Sequence, residues 1–459
     1  MSLRGASETV VERFNSIHWD SADLRLAKWE AGLRYRRGRG WRATLSSYVA
    51  ASVTHRVDID LGGAPDEPPP EAMRLLDGYL RGAPVQPVAC LRHLESTRQV
   101  GNVCAVHQVV SRIENRRAVQ GTRRLSLRSD AEPGDRRLLA ALRRVGVVEA
   151  NTLPLFSELG GAQAQPQWRV ESLDADSSVA GVVSAALRDF AARLIRNQPL
   201  VLEGSDPEGV HQARVACRRL SSALQTFSQV VDTDWAEALR TDLESLTDDL
   251  GAVRDTEVLL LRLRASAAQA PGLDMDTAER LLGRLDGQRS AAREALIRRI
   301  SSDDHRAHVE RLLAAVADPA VLADVADRPA MEMLTPLVDT SWRKLRRQVG
   351  RVGARPEDGE LHRVRILAKR CRYAVLALVP VAGEAPALTA TLLGELQDAI
   401  GEQHDAVVAA DWLRQTADNK TAFVAGILYA RERERAEAGR TAWHGPWRSL
   451  AKKGRWRWL

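Results

Sequence analysis

From about residue 179 onward, apolar residues recur at helical spacing with few interruptions. VAGVVSAALRDFAARLIRN (179–197), VHQARVACRRLSSALQTF (210–227) and DWAEALRTDLESLTDDL (234–250) each carry one apolar stripe. The first 160 residues have a different texture. THRVDIDL (54–61), NVCAVHQVV (102–110) and TRRLSLRS (122–129) alternate as strands do, and GGAPDEPPP (62–70) is breaker-rich and reads as a loop. A polar, turn-rich stretch over 161–178 reads as a linker. The pattern predicts an α+β multidomain chain: a β-containing domain at 1–160, then an all-α domain at 179–459.

The helical part repeats itself. VHQARVACRRLSSALQTF returns as LHRVRILAKRCRYAVLAL (361–378), pairing His211 with His362, Arg214 with Arg365, Arg218 with Lys369 and Arg219 with Arg370. LTDDLGAVRDTEV (246–258) returns as LQDAIGEQHDAVV (396–408), pairing Gly251 with Gly401 and Asp255 with Asp405. Two blocks in one order at nearly one spacing indicate a duplication, with repeats over about 179–330 and 331–459. The glycines fit αL helix caps, each Asp then capping the next helix. Alternatively, Asp255 and Asp405 orient nearby arginines through forked hydrogen bonds.

Stepping roughly 100° per residue puts His211, Arg214, Arg218, Ser221 and Ser222 on one side of the first helix. Ala213, Ala216, Cys217, Leu220, Leu224 and Phe227 fall opposite, toward a core. In the second copy His362, Arg365, Lys369, Arg372 and Tyr373 are polar, and Val364, Leu367, Cys371, Val375 and Leu378 apolar; Arg219 and Arg370 flank the stripes. An ordinary solvated helix face intersperses glutamates four residues from its cations. Neither 211–227 nor 361–378 contains an acidic residue, and a polyanion relieves such repulsion. Further basic residues precede each stripe: Arg188, Arg193 and Arg196, then Arg343, Lys344, Arg346, Arg347 and Arg351.

Composition changes this picture little. The net charge of +6 favours anionic partners, and aromatics at 5% suit a mainly helical chain. Cys90, Cys104, Cys217 and Cys371 are far apart, which fits neither a disulfide framework nor a zinc site and suits a reducing cytoplasm. No apolar run approaches the roughly 20 residues of a membrane span, and no signal-peptide core opens the chain.

HQARVACRRL with LGAVRDTEV, and HRVRILAKRC with IGEQHDAVV, resemble the HQxRVxxRRL and LGxxRDxDV signatures of the CHAD (conserved histidine α-helical) family over about 179–440. The second copy departs from the pattern at His404, where the family has arginine. The resemblance implies two pseudo-symmetric four-helix bundles with a basic surface for inorganic polyphosphate. The residues it assigns to that polymer are His211, Arg214, Arg218, Arg219, His362, Arg365, Lys369, Arg370 and Arg372, with Arg188, Arg193, Arg343 and Arg347 beside them. Histidines beside phosphates favour their charged form, so binding is expected to tighten as pH falls.

HWDSADLRLAKWEAGLRYRRGRGWRATL (18–45) resembles the CYTH, or triphosphate-tunnel, family, matching it at Asp20, Arg34 and Arg36. That family folds as an antiparallel β-barrel whose carboxylates hold a metal. This chain begins too late for the ExExK strand, and Thr44 replaces a tunnel lysine. The expected unit is therefore an incomplete, non-catalytic barrel, in which Arg34 and Arg36 either contact phosphate or decorate the remnant. The C-terminal TAWHGPWRSLAKKGRWRWL (441–459) mixes cations with tryptophans; Trp443 and Trp447 read as docking on the last helix, and the remaining residues stay open.

The reading is a polyphosphate-binding protein with no catalytic residue, metal or cofactor, cytoplasmic and associated with polyphosphate granules; the oligomeric state is not read. A metal-dependent triphosphatase acting through the CYTH-like part is the alternative. Nucleic acid is disfavoured, because Tyr373 is the single aromatic on the stripes and no DNA-reading motif appears.

Overall fold

The computed structural model describes residues 9–50, 53–100, 103–129, 167–168, 172–353, 355–452 and 454–459. Much of the expected linker and the side chain of Cys104 lie outside the described residues. The chain divides into two compact units, Met1–Arg169 and Val170–Leu459.

Unit 1 is an antiparallel sheet of seven strands: β1 (Val10–Asp20), β2 (Gly32–Arg36), β3 (Gly40–Ala50), β4 (Val53–Leu61), β5 (Gln86–Val100), β6 (Val103–Glu114) and β7 (Arg117–Ser129). The spatial order is β4-β3-β2-β1-β5-β6-β7. This corrects the expected barrel. Closure requires β4 to pair with β7, and among the described residues these are the two outer strands of an open sheet.

Strand alternation places Ser16, His18 and Asp20 on the buried face of β1, while Arg13, Asn15 and Ile17 are exposed. Asp20, one of the family-matched positions, has a structural task. Its carboxylate accepts the backbone N–H groups of Ser21 (2.7 Å), Leu26 (2.8 Å) and Ala27 (2.9 Å), which secures the short helix α1 (Arg25–Lys28). Burial raises its pKa, and those hydrogen bonds oppose the rise. Helix α2 (Pro70–Leu80) contributes Leu75, Leu76 and Tyr79 to the buried set that also holds Leu26, Trp29, Leu33 and Trp41.

Unit 2 is helical. The first repeat holds α3 (Val179–Glu203), α4 (Glu208–Thr226), α5 (Thr233–Ala268), α6 (Met275–Ile300) and α7 (Asp303–Ala317). The second holds α8 (Ala330–Val349), α9 (Asp358–Ala382), α10 (Glu384–Thr416), α11 (Ala422–Gly439) and α12 (His444–Leu450). Ser178 and Pro329, which precede α3 and α8, pair as an antiparallel bridge. Val179 N–H donates to Arg328 O (3.0 Å) and Ala330 N–H to Ser177 O (2.9 Å), so equivalent helices of the two repeats start side by side. The repeats also share a core: Leu263, Leu281 and Leu282 from the first cluster with Leu413 and Leu428 from the second.

The cap reading of the repeated glycines is corrected here. Gly251 lies inside the 36-residue α5 and Gly401 inside the 33-residue α10, so both helices run straight through them. The C-terminal segment docks further than expected. Trp342 of α8 stacks on Trp456 with ring centroids 4.1 Å apart, and Trp458 Nε1 donates to Thr389 Oγ1 of α10 (3.2 Å). Among the described residues no helix is long and apolar enough to cross a membrane.

Candidate polyanion-binding site

The two stripes meet. Helices α4 and α9 pack against each other, and α9 also packs against α3 and α8. Their apolar sides behave as the periodicity demands: Ala213, Ala216, Cys217, Leu220 and Leu224 are buried, as are Val364, Cys371, Val375 and Leu378, while Leu367 is half-buried. A capping box fixes the start of α9, with Glu360 reaching back to the backbone N–H of Glu357 (2.9 Å). Burial raises the thiol pKa of both Cys217 and Cys371, Cys217 to about 12, which keeps them protonated packing groups.

The polar sides place Arg214 and Arg218 of α4 in electrostatic contact with Arg365 and Lys369 of α9. Two carboxylates answer these four cations. Arg214 forks onto Asp255 of α5, Nη1 donating to Oδ1 at 2.6 Å and Nη2 to Oδ2 at 3.3 Å. Asp405 of α10 is the matching neighbour of Arg365. Burial raises the pKa of Asp405, with Arg365 pulling it back. Among the described residues no carboxylate comes within ion-pair distance of Arg218, Arg365 or Lys369.

The repeated glycines lie where arginines of the neighbouring helices pass. A Cβ at Gly251 would stand 3.5 Å from the Arg214 guanidinium, and one at Gly401 would stand 3.8 Å from Arg365 Nε. Each glycine is the place where the arginine of the neighbouring helix crosses the glycine's own helix. The oriented-arginine reading holds in the first copy, where Asp255 accepts the Arg214 fork; in the second, Asp405 acts on Arg365 through its charge alone.

The crowding shows in proton affinities. Burial, then Arg218, Arg365 and Arg214, push the Lys369 ammonium down to about 7, with Asp405 opposing. Burial, then Arg365, His362 and Lys369, hold His404 at about 4. Burial and Arg254 lower His211, Glu208 opposing. The repeat symmetry extends here: Arg254 faces His211 in the first copy, and His404 lies against His362 in the second, ring centroids 4.9 Å apart.

Several nitrogens at this seam are buried and make no hydrogen bond: Nε of Arg214, Arg219, Arg365 and Arg372, and Nδ1 of His362. Isolated arginine Nε atoms elsewhere, at Arg112, Arg240, Arg299 and Arg431, share that condition. The signal is therefore the concentration along one seam.

Other expected contacts have internal partners. Arg188 donates to the carbonyls of Val316 (3.1 Å) and Ala317 (2.6 Å), closing the C-terminus of α7. Arg193 is 8% exposed and forks onto Asp189 at 2.8 and 3.3 Å. Arg343 pairs with Asp339 one turn earlier on α8. Arg347 and Arg370 are exposed. In unit 1, Arg36 pairs with Glu12 and lies over the Phe14 ring at 3.7 Å, while Arg34 sits opposite His18 in the sheet register.

The CHAD domain profile matches residues 185–414, half of the chain. The chain belongs to the CHAD domain family. The CHAD domain from the plant Ricinus communis is 27% identical, with a TM-score of 0.51 over 60% of this chain and 95% of that one. PptA from Streptomyces chartreusis is 25% identical, with a TM-score of 0.49 over 59% of this chain and 100% of that one. Over nearly the full length, "Uncharacterized protein Rv2226" of Mycobacterium tuberculosis (strain H37Rv) is 25% identical, spanning 97% of this chain and 91% of the relative.

Within the CHAD domain, the sequence did not disclose the repulsion of His211 by Arg254 or the contact of Gly394 with Arg372, where a Cβ would stand 3.2 Å from the guanidinium. Gly394 carried a readable signal: it interrupts the apolar face of a long helix, at a buried position.

Proposed function

We propose that the CHAD domain binds linear inorganic polyphosphate without turning it over, and that this recruits the protein to polyphosphate granules in the cytoplasm. One observation carries the reading. Arg214, Arg218, Arg365 and Lys369 crowd together at the α4–α9 seam with Asp255 and Asp405 as their carboxylates. Guanidinium groups fork onto phosphate oxygens, and a lysine adds a point charge. A flexible chain of phosphates supplies repeated negative charge along such a row and releases its own counterions. Stacking aromatics, which single-stranded nucleic acids use, are represented on the stripes by Tyr373 alone.

For unit 1 the reading is a CYTH-type remnant, supported by its antiparallel strands and by Arg34 and Arg36 on one sheet face. The residues present do not fit the family's metal. Glu12 is tied to Arg36, Asp60 to Arg42 and Asp58 to Thr44, and among the described residues no three His, Cys, Asp or Glu gather as a ligand set.

Retention on immobilised polyphosphate tests the binding reading. Replacing Arg214, Arg218, Arg365 and Lys369 by alanine is expected to abolish retention; undiminished retention contradicts the site. Phosphate release from tripolyphosphate with Mg²⁺ or Mn²⁺ separates this reading from the triphosphatase, since metal-dependent turnover overturns the non-catalytic claim.

A further inference from the structure

A second group of cations lies beside the first, toward the C-terminal ends of the stripes. Arg193 of α3, Arg219 of α4 and Arg372 of α9 converge there, with Tyr373 beside Arg219. Helices α3 and α10 wall the group. Phe190 lies under Arg219, 5.8 Å from guanidinium carbon to ring centroid. The Arg372 guanidinium rests on α10 at Gly394, where any side chain would meet it at 3.2 Å. Arg193, 8% exposed, closes the α3 side. Asp189 is the acidic group of this cluster, and both its oxygens are engaged by Arg193. The Nε atoms of Arg219 and Arg372 are buried without acceptors. Three cations against one engaged carboxylate leave a local excess of two positive charges.

That excess and that closure select a particular phosphate. An internal unit of a polyphosphate chain carries one charge and continues in both directions. The end unit carries a second ionisation near neutral pH, as a phosphate monoester does, and presents three oxygens to donors. A seat closed on the α3 side suits a unit that continues in one direction. Resting on the polyphosphate reading above, we infer that Arg219 and Arg372 seat the doubly charged end of the chain against the closed Arg193–Asp189 pair, while Arg214, Arg218, Arg365 and Lys369 hold its interior.

The test compares long polyphosphate with open ends against the same material with both ends amidated by a neutral amine, which barely alters total charge. The full-length protein is expected to bind open chains about tenfold more tightly, the size of a lost charge-assisted hydrogen bond. The double variant Arg219→Gln/Arg372→Gln should bring that ratio close to one. Arg219→Lys keeps the charge but loses the fork, and serves if the double variant does not fold; it should lower the ratio in part. Arg218→Gln, in the interior row, should weaken both materials alike and keep the ratio. Orthophosphate should compete against open chains more than against blocked ones. A ratio of one in the unmodified protein, or a ratio that survives the seat variants, overturns the inference. Retention by the Arg214, Arg218, Arg365 and Lys369 alanine variant would instead remove the reading on which it rests.

Discussion

On the proposed reading, Lys369 should make polyphosphate affinity depend on pH just above neutrality. Burial and three neighbouring arginines hold its ammonium at about 7 in the free protein. A phosphate chain along the seam reverses the repulsion, so the bound lysine keeps its proton. A base that is neutral when free and charged when bound costs affinity about tenfold per pH unit above its free pKa, or about 1.4 kcal/mol. Between pH 6.5 and 8.5 the protonated fraction of the free lysine falls about 25-fold, and affinity falls with it. His404, at about 4, and the lowered His211 titrate below this window and add their protons at lower pH. The assay is a titration with long chains, whose end groups are a negligible share of the charge, at constant ionic strength. Lys369→Arg carries its charge throughout and should flatten the profile. A flat profile in the unmodified protein, or an unchanged slope in Lys369→Arg, refutes the reasoning.

Without ligand the sign is opposite. Below 7 both folded and unfolded chains hold the Lys369 proton and the buried charge is a full penalty; above the ordinary lysine value neither does. The urea midpoint should therefore rise from pH 7 to 10, and Lys369→Met should remove that rise. Gly251→Ala and Gly401→Ala have room, with arginine atoms at 3.5 and 3.8 Å, and should stabilise the protein by about 0.5–1 kcal/mol each, as in any helix interior. Destabilisation in urea melts would contradict the mid-helix role. Trp342→Ala should cost about 3 kcal/mol or more and open Arg448 and Arg455 to trypsin, because it removes the ring on which Trp447 and Trp456 stack. Unchanged proteolysis would show that the tail docks without it.

The duplication made the seam legible. Two copies of one amphipathic pattern cannot both place cations beside a common partner by accident, and their apolar halves told which side faces the core. The internal partners of Arg188 were not legible, because the carbonyls that hold it lie 128 and 129 residues away. Those of Arg193 and Arg343 were legible, since Asp189 and Asp339 stand four residues earlier on the same helices. The glycines misled because a cap and a crossing point have the same local sequence; what distinguishes them is the arginine of the adjacent helix. In unit 1 strand alternation was plain, but whether the sheet closes depends on its outer strands, which periodicity does not address.

The most direct measurement is the salt dependence of polyphosphate binding by the unmodified protein and by the Arg214, Arg218, Arg365 and Lys369 alanine variant. Each phosphate neutralised contributes about −0.7 to the slope of log K against log salt for a single-stranded polyanion, so four lost contacts should flatten the slope by about 3. The account requires that flattening together with weaker binding at every salt concentration. Equal slopes and equal affinities would contradict it.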